Sequence, residues 1–169
     1  MEEEVAIKDY PPLKIIGIER TGALSQIEEA FKELTEWASK NKVHILYPSI
    51  CLFYDNAYPG INPESAHWEV AFVVNELPRI ADQEVSVKEL PSELMATIIH
   101  HGPYETLSEA YNKILHWIKE TGYETTGPFR EVYVVCEENQ PENNPENYVT
   151  EINFPVRKKE ENQINTPAA

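Results

Sequence analysis

Ile27-Glu-Glu-Ala-Phe-Lys-Glu-Leu-Thr-Glu-Trp-Ala38 returns 80 residues later as Leu107-Ser-Glu-Ala-Tyr-Asn-Lys-Ile-Leu-His-Trp-Ile118. In the first copy Ile27, Ala30, Phe31, Leu34, Trp37 and Ala38 recur at intervals of three and four, which is one face of a helix. In the second copy the same face carries Leu107, Ala110, Tyr111, Ile114, Trp117 and Ile118. Ser25 with Glu28, and Thr106 with Glu109, have capping-box spacing. Gly122 supplies a stop signal for the second helix.

The match extends outward at the same offset. Val5-Ala-Ile-Lys8 falls on Val85-Ser-Val-Lys88, Pro11 on Pro91, Ile18 on Ile98, Gly22 on Gly102 and Pro48 on Pro128. Farther on, Glu69-Val-Ala-Phe-Val-Val74 meets Glu151-Ile-Asn-Phe-Pro-Val156 at an offset of 82. The polar stretch Glu137–Asn147 absorbs the difference. So many matches at one spacing indicate a duplicated unit.

Each half shows the same order of elements. Val5–Ile7 and Leu13–Ile18 alternate around a proline break, as a bent strand does. The helix follows, then two strands: Ile50–Tyr54 with Trp68–Val74, and Arg130–Val135 with Tyr148–Val156. The fold class is α+β. Tandem βαββ units related by a pseudo-twofold form antiparallel sheets with helices on one face and a ligand cleft between the halves. The domain covers residues 1–158, with repeat 1 at about 3–80 and repeat 2 at about 83–158. Asp55–His67 and Glu137–Asn147 are turn-rich loops, and Asn139–Asn147 within the second is expected to be mobile. The polar tail 159–169 is expected to be disordered.

Strand alternation assigns the faces. Ile152, Phe154 and Val156 belong under the helix, which leaves Glu151 and Asn153 opposite. Val132 and Val134 are likewise assigned to the helix side, with Glu131 and Tyr133 opposite. The first copy contributes Cys51, Phe53, Glu69 and Ala71. These faces are expected to meet in one cleft lined by aromatic rings and a few carboxylates. Trp68 either lines that cleft or caps the core, and Tyr104, in its Gly-Pro-Tyr turn, sits at the rim. Trp37 and Trp117 are read as core.

Composition limits the functions available. The 169 residues are 41% hydrophobic, enough for a core, and carry 29 acidic against 14 basic side chains, for a net charge of −15. That field repels phosphate backbones, so nucleic acid is not expected as a direct partner. No apolar run approaches the roughly 20 residues of a membrane span, and the acidic start is unlike a signal peptide. A cytoplasmic location is expected. Cys51 and Cys136 lie far apart in apolar stretches and are read as buried free thiols. His100-His101 points its two rings to opposite faces and His67-Trp-Glu69 has no third ligand nearby, so no metal is expected. No Gly-rich phosphate loop or Ser/His/Asp pattern is present, and no cofactor is expected.

Several motifs in the second half carry a family resemblance. His101-Gly-Pro-Tyr-Glu105, the helix with Trp117, Gly127-Pro128 and Tyr148-Val-Thr-Glu-Ile-Asn-Phe-Pro-Val156 together resemble the GyrI-like family, over roughly residues 3 to 158. That family includes the effector-binding domains of AraC- and MerR-type regulators. The resemblance implies a duplicated βαββ fold and a cleft for lipophilic, often cationic compounds. An acidic residue on the last strand would act as counter-charge, which here is Glu151. With only four residues before Val5, no DNA-binding segment is expected in this chain.

The ligand-binding set expected from alternation and resemblance is Glu151, Glu131, Tyr133, Phe53, Cys51, Trp68, Glu69, Asn153 and Tyr104. A carboxylate in an apolar cleft is costly unless protonated, hydrogen-bonded or paired, so it attracts an organic cation. The primary expectation is a stand-alone binding domain for small hydrophobic, cationic molecules, acting by sequestration or by sensing through a partner. Two alternatives follow from the resemblance. One is a hydrolase of strained cyclopropane-type electrophiles, with Glu151 and Tyr133 as catalytic candidates and Glu131 as another base. The other is a protein inhibitor of DNA gyrase. The partners considered are therefore the small molecule, a regulator protein and gyrase.

Overall fold

A computed structural model describes residues 4–55, 61–80, 82–140 and 142–160. Among these are nine strands and two α-helices, which follow the expected order except for a short added strand at Tyr123–Thr125. The first half holds β1 (Ala6–Tyr10), β2 (Leu13–Gly22), α1 (Ile27–Lys40), β3 (Ile45–Phe53) and β4 (Ala66–Val74). The second holds β5 (Ser86–Leu90), β6 (Glu93–His101), α2 (Leu107–Glu120), β7 (Tyr123–Thr125), β8 (Phe129–Val135) and β9 (Val149–Lys158). Most of the tail, 161–169, lies outside the described residues, as does part of the Asp55–His67 loop.

The halves share one antiparallel sheet where two small ones were expected. Its strand order is β1-β6-β9-β8-β3-β4-β2-β5, with β7 added beside β9. When each strand is matched to its repeat, this order reads the same from either edge. The seam is β3 against β8, where Cys51 pairs with Glu131 and Phe53 with Phe129. The first strand of each half is exchanged: β1 lies on β6, and β5 lies on β2. Joining the halves this way pairs strand edges that two separate sheets would leave open.

Both helices pack on one face of the sheet. Ala30, Leu34 and Ala38 of α1, with Leu107, Ala110, Tyr111, Ile114 and Ile118 of α2, enter the main core. There they meet Ile16, Ile18, Phe53, Trp68, Val70, Phe72, Phe129, Ile152 and Phe154. Neither expected capping box forms. A 3-10 turn (Leu24–Gln26) precedes α1 and makes Gln26 the N-cap, and the N-cap Thr106 of α2 makes no side-chain capping bond. The Thr106 hydroxyl donates instead to the Pro103 carbonyl (2.9 Å). Gly122, at φ 77°, adopts the left-handed conformation just beyond α2 that the stop signal implied. The Glu137–Asn147 loop contains two 3-10 turns, Glu137–Asn139 and Pro145–Asn147. The Asn139 side chain braces the first by accepting from the Cys136 amide and donating to the Val134 carbonyl.

The reverse face carries no helix, yet the curl of the sheet into a half-barrel brings its side chains together. Ile15, Ile50, Leu52 and Ala71 form a second apolar cluster there, flanked by Tyr54 and Val132. Beside it sits Glu69, 0% exposed. Gly17 makes the room: a Cβ at that position would stand 2.6 Å from Glu69 Oε2. Gly17→Ala is therefore expected to destabilise the fold by about 2 kcal/mol through overpacking, measured by urea denaturation.

Candidate functional site

The two helices pack to either side of the β3–β8 seam: α1 mainly on β4 and β2, and α2 on β6 and β7. Over the seam Phe31 of α1 meets Tyr133, and Tyr111 of α2 meets Phe129. Glu131 stands between the helices. Its two carboxylate oxygens accept hydrogen bonds from Tyr111 Oη on α2 (2.6 Å) and from Tyr133 Oη on its own strand (2.7 Å). Tyr133 meets Phe31 of α1 edge-on at 6.0 Å and Tyr104 edge-on at 5.9 Å. Tyr104 in turn lies 5.0 Å from Tyr148. Below them Phe53, Phe129 and Phe154 stack in a row at 4.9 Å spacings. The result is an aromatic cluster around a single carboxylate, the candidate groove, with Tyr104, 42% exposed, at its outer edge.

Glu131 is partly accessible yet largely removed from water. Burial raises its pKa above the usual carboxylate range, against the opposing effect of the two phenol donors. Among the described residues no lysine, arginine or histidine forms an ion pair with it. Burial and the neighbouring Glu131 charge push the Tyr133 phenol well up. Burial, then Glu131 and Glu69, does the same to the Cys51 thiol. Tyr133 is thus a hydrogen-bond donor at neutral pH, and Cys51 is a protonated, inert thiol. A carboxyl whose folded-state pKa is raised binds its proton more tightly when folded. Its contribution to stability is therefore present below the unfolded pKa and is lost as pH rises through the folded value.

The structure divides the expected site residues between two faces. Glu131, Tyr133, Cys51, Phe53, Trp68 and Tyr104 lie on the helix side. Cys51, Phe53 and Trp68 are buried beneath the groove, and Trp68 Nε1 donates to the Gly22 carbonyl (3.3 Å). Glu151, Glu69 and Asn153 lie on the reverse face. Glu151 accepts from Tyr10 Oη and, with the Asn153 amide turned to donate, from that nitrogen at 2.8 Å. Burial raises the Glu151 pKa, and the Lys8 charge opposes the rise. Glu69 accepts from Tyr54 Oη (2.6 Å) and Ser86 Oγ (2.6 Å) and pairs with Lys88 Nζ (2.7 Å).

The assignment of Val132 to the helix side is therefore reversed, and Val134, at a shift in strand register, is exposed. Val132 packs with Ile50 and Leu52 on the far face. Apolarity misleads on this strand because Tyr111 and Tyr133 satisfy the Glu131 carboxylate there, so a polar residue can face the helix side. Alternation also could not reveal Tyr111, Phe31 and Tyr148. One signal was present for Tyr111. It occupies the Phe31 position of the second repeat, and a phenol replacing a core phenylalanine calls for a buried hydrogen-bond partner.

The chain matches the model of the GyrI-like small molecule binding domain over residues 3–157. Among solved structures, the EcmrR C-terminal domain superposes with a TM-score of 0.77 at 23% identity, covering 94% of this chain and 100% of that one. In the EcmrR–DNA complex the TM-score is 0.82 at 23% identity; 93% of this chain is covered, and it spans 58% of that protein's length. SAV2435 bound to tetraphenylphosphonium gives 0.60 at 17% identity, with 93% of this chain and 94% of that chain covered. A structure described as a hydrolase from Listeria innocua gives 0.67 at 11% identity, with coverages of 91% and 92%. At these identities the likeness concerns the fold. No curated protein matches. Among the described residues no helix is long and apolar enough to cross a membrane. The span of the family match, together with the shared fold, shows that this chain belongs to the GyrI-like family of small-molecule-binding domains.

Proposed function

We propose that this domain binds a small hydrophobic cation in the groove over the β3–β8 seam, with Glu131 as the counter-charge and Tyr133, Tyr104 and Phe31 as the aromatic walls. The observation carrying this reading is a desolvated carboxylate whose hydrogen-bond donors are two neutral phenols. Such a group lacks only a positive charge, and ring faces around it favour an organic cation over a hydrated inorganic one. The superposition on a protein holding tetraphenylphosphonium supports the same ligand class. The fold's occurrence in EcmrR, a protein found in complex with DNA, supports a role in sensing through a regulator. A hydrolytic role finds less support, since the structures described as hydrolases are only 11–12% identical to this chain.

Calorimetric titration with tetraphenylphosphonium and with triphenylphosphine oxide, its neutral counterpart, tests the proposal. The cation is expected to bind more tightly. Its affinity should rise with pH from the ordinary glutamate range through the raised Glu131 pKa and then level off, with a proton released on binding. The oxide should show no such pH dependence. Equal affinities for the two compounds, flat with pH, would overturn the proposal.

A further inference from the structure

Thr150 of β9 lies on the helix-side face, directly across from Tyr133 on one neighbouring strand and His100 on the other. It is 0% exposed, and its hydroxyl has no hydrogen-bond partner among the described residues. Arg130 Nε is the other unpartnered buried side-chain atom, but that guanidinium is already paired with Glu93 at 2.8 Å. The Thr150 hydroxyl has nothing comparable. The Nε2 of the neighbouring His100 is engaged elsewhere, 2.9 Å from Thr106 Oγ1.

An unsatisfied buried hydroxyl is costly, and folds retain few of them. This one lies at the end of the groove. Tyr133 lies directly across from it, Tyr148 stands two residues before it just ahead of β9, and the Tyr104 ring lies 5.9 and 5.0 Å from the two rings. Tyr104 belongs to a three-residue 3-10 turn (Tyr104–Thr106) and is the exposed member of the group. Glu131 pairs with Ile152, two residues along β9. That places Thr150 on the diagonal from Glu131, with backbones about 7–8 Å apart.

We propose that Thr150 is a specificity-determining residue of this groove. Beneath Tyr104 its hydroxyl forms a polar subsite that selects hydrophobic cations carrying a hydrogen-bonding substituent one ring away from the charge. This rests on the proposed cation site at Glu131 and adds the class of ligand it prefers. A cation with polar decoration would satisfy both the carboxylate and the orphan hydroxyl, whereas a wholly apolar cation satisfies the carboxylate alone.

The test compares tetraphenylphosphonium with (4-hydroxyphenyl)triphenylphosphonium, which differ by one hydroxyl. The wild-type protein is expected to favour the hydroxylated cation by about tenfold, the effect of one hydrogen bond to an otherwise unsatisfied buried group. Thr150→Val should bring the ratio of affinities near one, and Thr150→Ser should keep it. Thr150→Val should also leave the melting temperature unchanged or raise it, because an isosteric methyl replaces a hydroxyl that lacks a partner. A ratio near one in the wild type, a ratio that survives in Thr150→Val, or a clear loss of stability in that variant overturns the inference alone. If neither cation binds the wild type, the cation reading itself fails and this inference fails with it.

Discussion

Glu131→Gln is expected to weaken tetraphenylphosphonium binding by roughly thirtyfold, about 2 kcal/mol, while leaving triphenylphosphine oxide within about twofold. The magnitude follows from the setting of the carboxylate. A unit charge about 5 Å away at an effective dielectric near 20 gains about 3 kcal/mol, and part of that is spent stripping water from the cation. The substituted amide keeps the volume and one acceptor for Tyr111 or Tyr133, so the groove retains its shape and only its charge is lost. Calorimetric titration of both compounds against the wild type and the variant is the measurement. Glu151→Gln is the discriminating control. Glu151 lies on the reverse face, bonded to Tyr10 and influenced by Lys8, and its substitution should leave cation affinity within about twofold. The opposite pattern, with Glu151→Gln losing the cation and Glu131→Gln keeping it, would move the ligand to the far side of the sheet.

Glu69→Ala is expected to cost about 3 kcal/mol of stability, a fall in melting temperature of roughly 6–12 °C for a domain of this size. Glu69 is fully buried and serves three partners: Lys88, Tyr54 and Ser86. Its removal strands the Tyr54 and Ser86 hydroxyls, leaves Lys88 without its counter-charge, and opens a void beside Gly17. Because Lys88 is partly exposed, its ammonium can turn to water, which keeps the loss toward the lower end for a broken buried pair. Pairing the change with Lys88→Met should recover part of the loss, as a double-mutant cycle in thermal denaturation would show. A fall below about 1 kcal/mol would mean that the three bonds contribute little.

The exchange of first strands explains why Glu69 and Glu151 resemble each other without belonging to the groove. β5 of the second half brings Lys88 to Glu69 of the first, and β1 of the first half brings Lys8 near Glu151 of the second. The matching sequences Val5-Ala-Ile-Lys8 and Val85-Ser-Val-Lys88 thus carry a lysine across to each glutamate, as an ion pair at Lys88–Glu69 and as an electrostatic influence at Lys8–Glu151. On the helix side, by contrast, the repeats have diverged. Cys51 and Phe53 occupy the positions of Glu131 and Tyr133, and Phe31 that of Tyr111, so only the second half supplies the carboxylate and its phenols.

Much of the fold was legible in the chain itself. Helices starting near Ile27 and Leu107, the strands around them and the repeated order follow from local periodicity and an 80-residue offset, because a helix face or a strand is specified by neighbours in sequence. The helix-side placement of Ile152, Phe154 and Val156 follows from the same alternation. Faces on β8 did not, since period two separates odd from even residues without saying which set meets a helix. That choice belongs to the tertiary structure. The two helices settle to either side of the central seam, and Glu131 with Tyr133 takes the space between them that apolarity alone assigns to Val132. Strand exchange and the joining of the halves into one sheet were likewise decided by pairing between distant segments, which no local pattern encodes. By itself the sequence determined a duplicated domain with aromatic and acidic residues to place; only the packing of helices against one continuous sheet decided which carboxylate was left facing the groove without a charged partner.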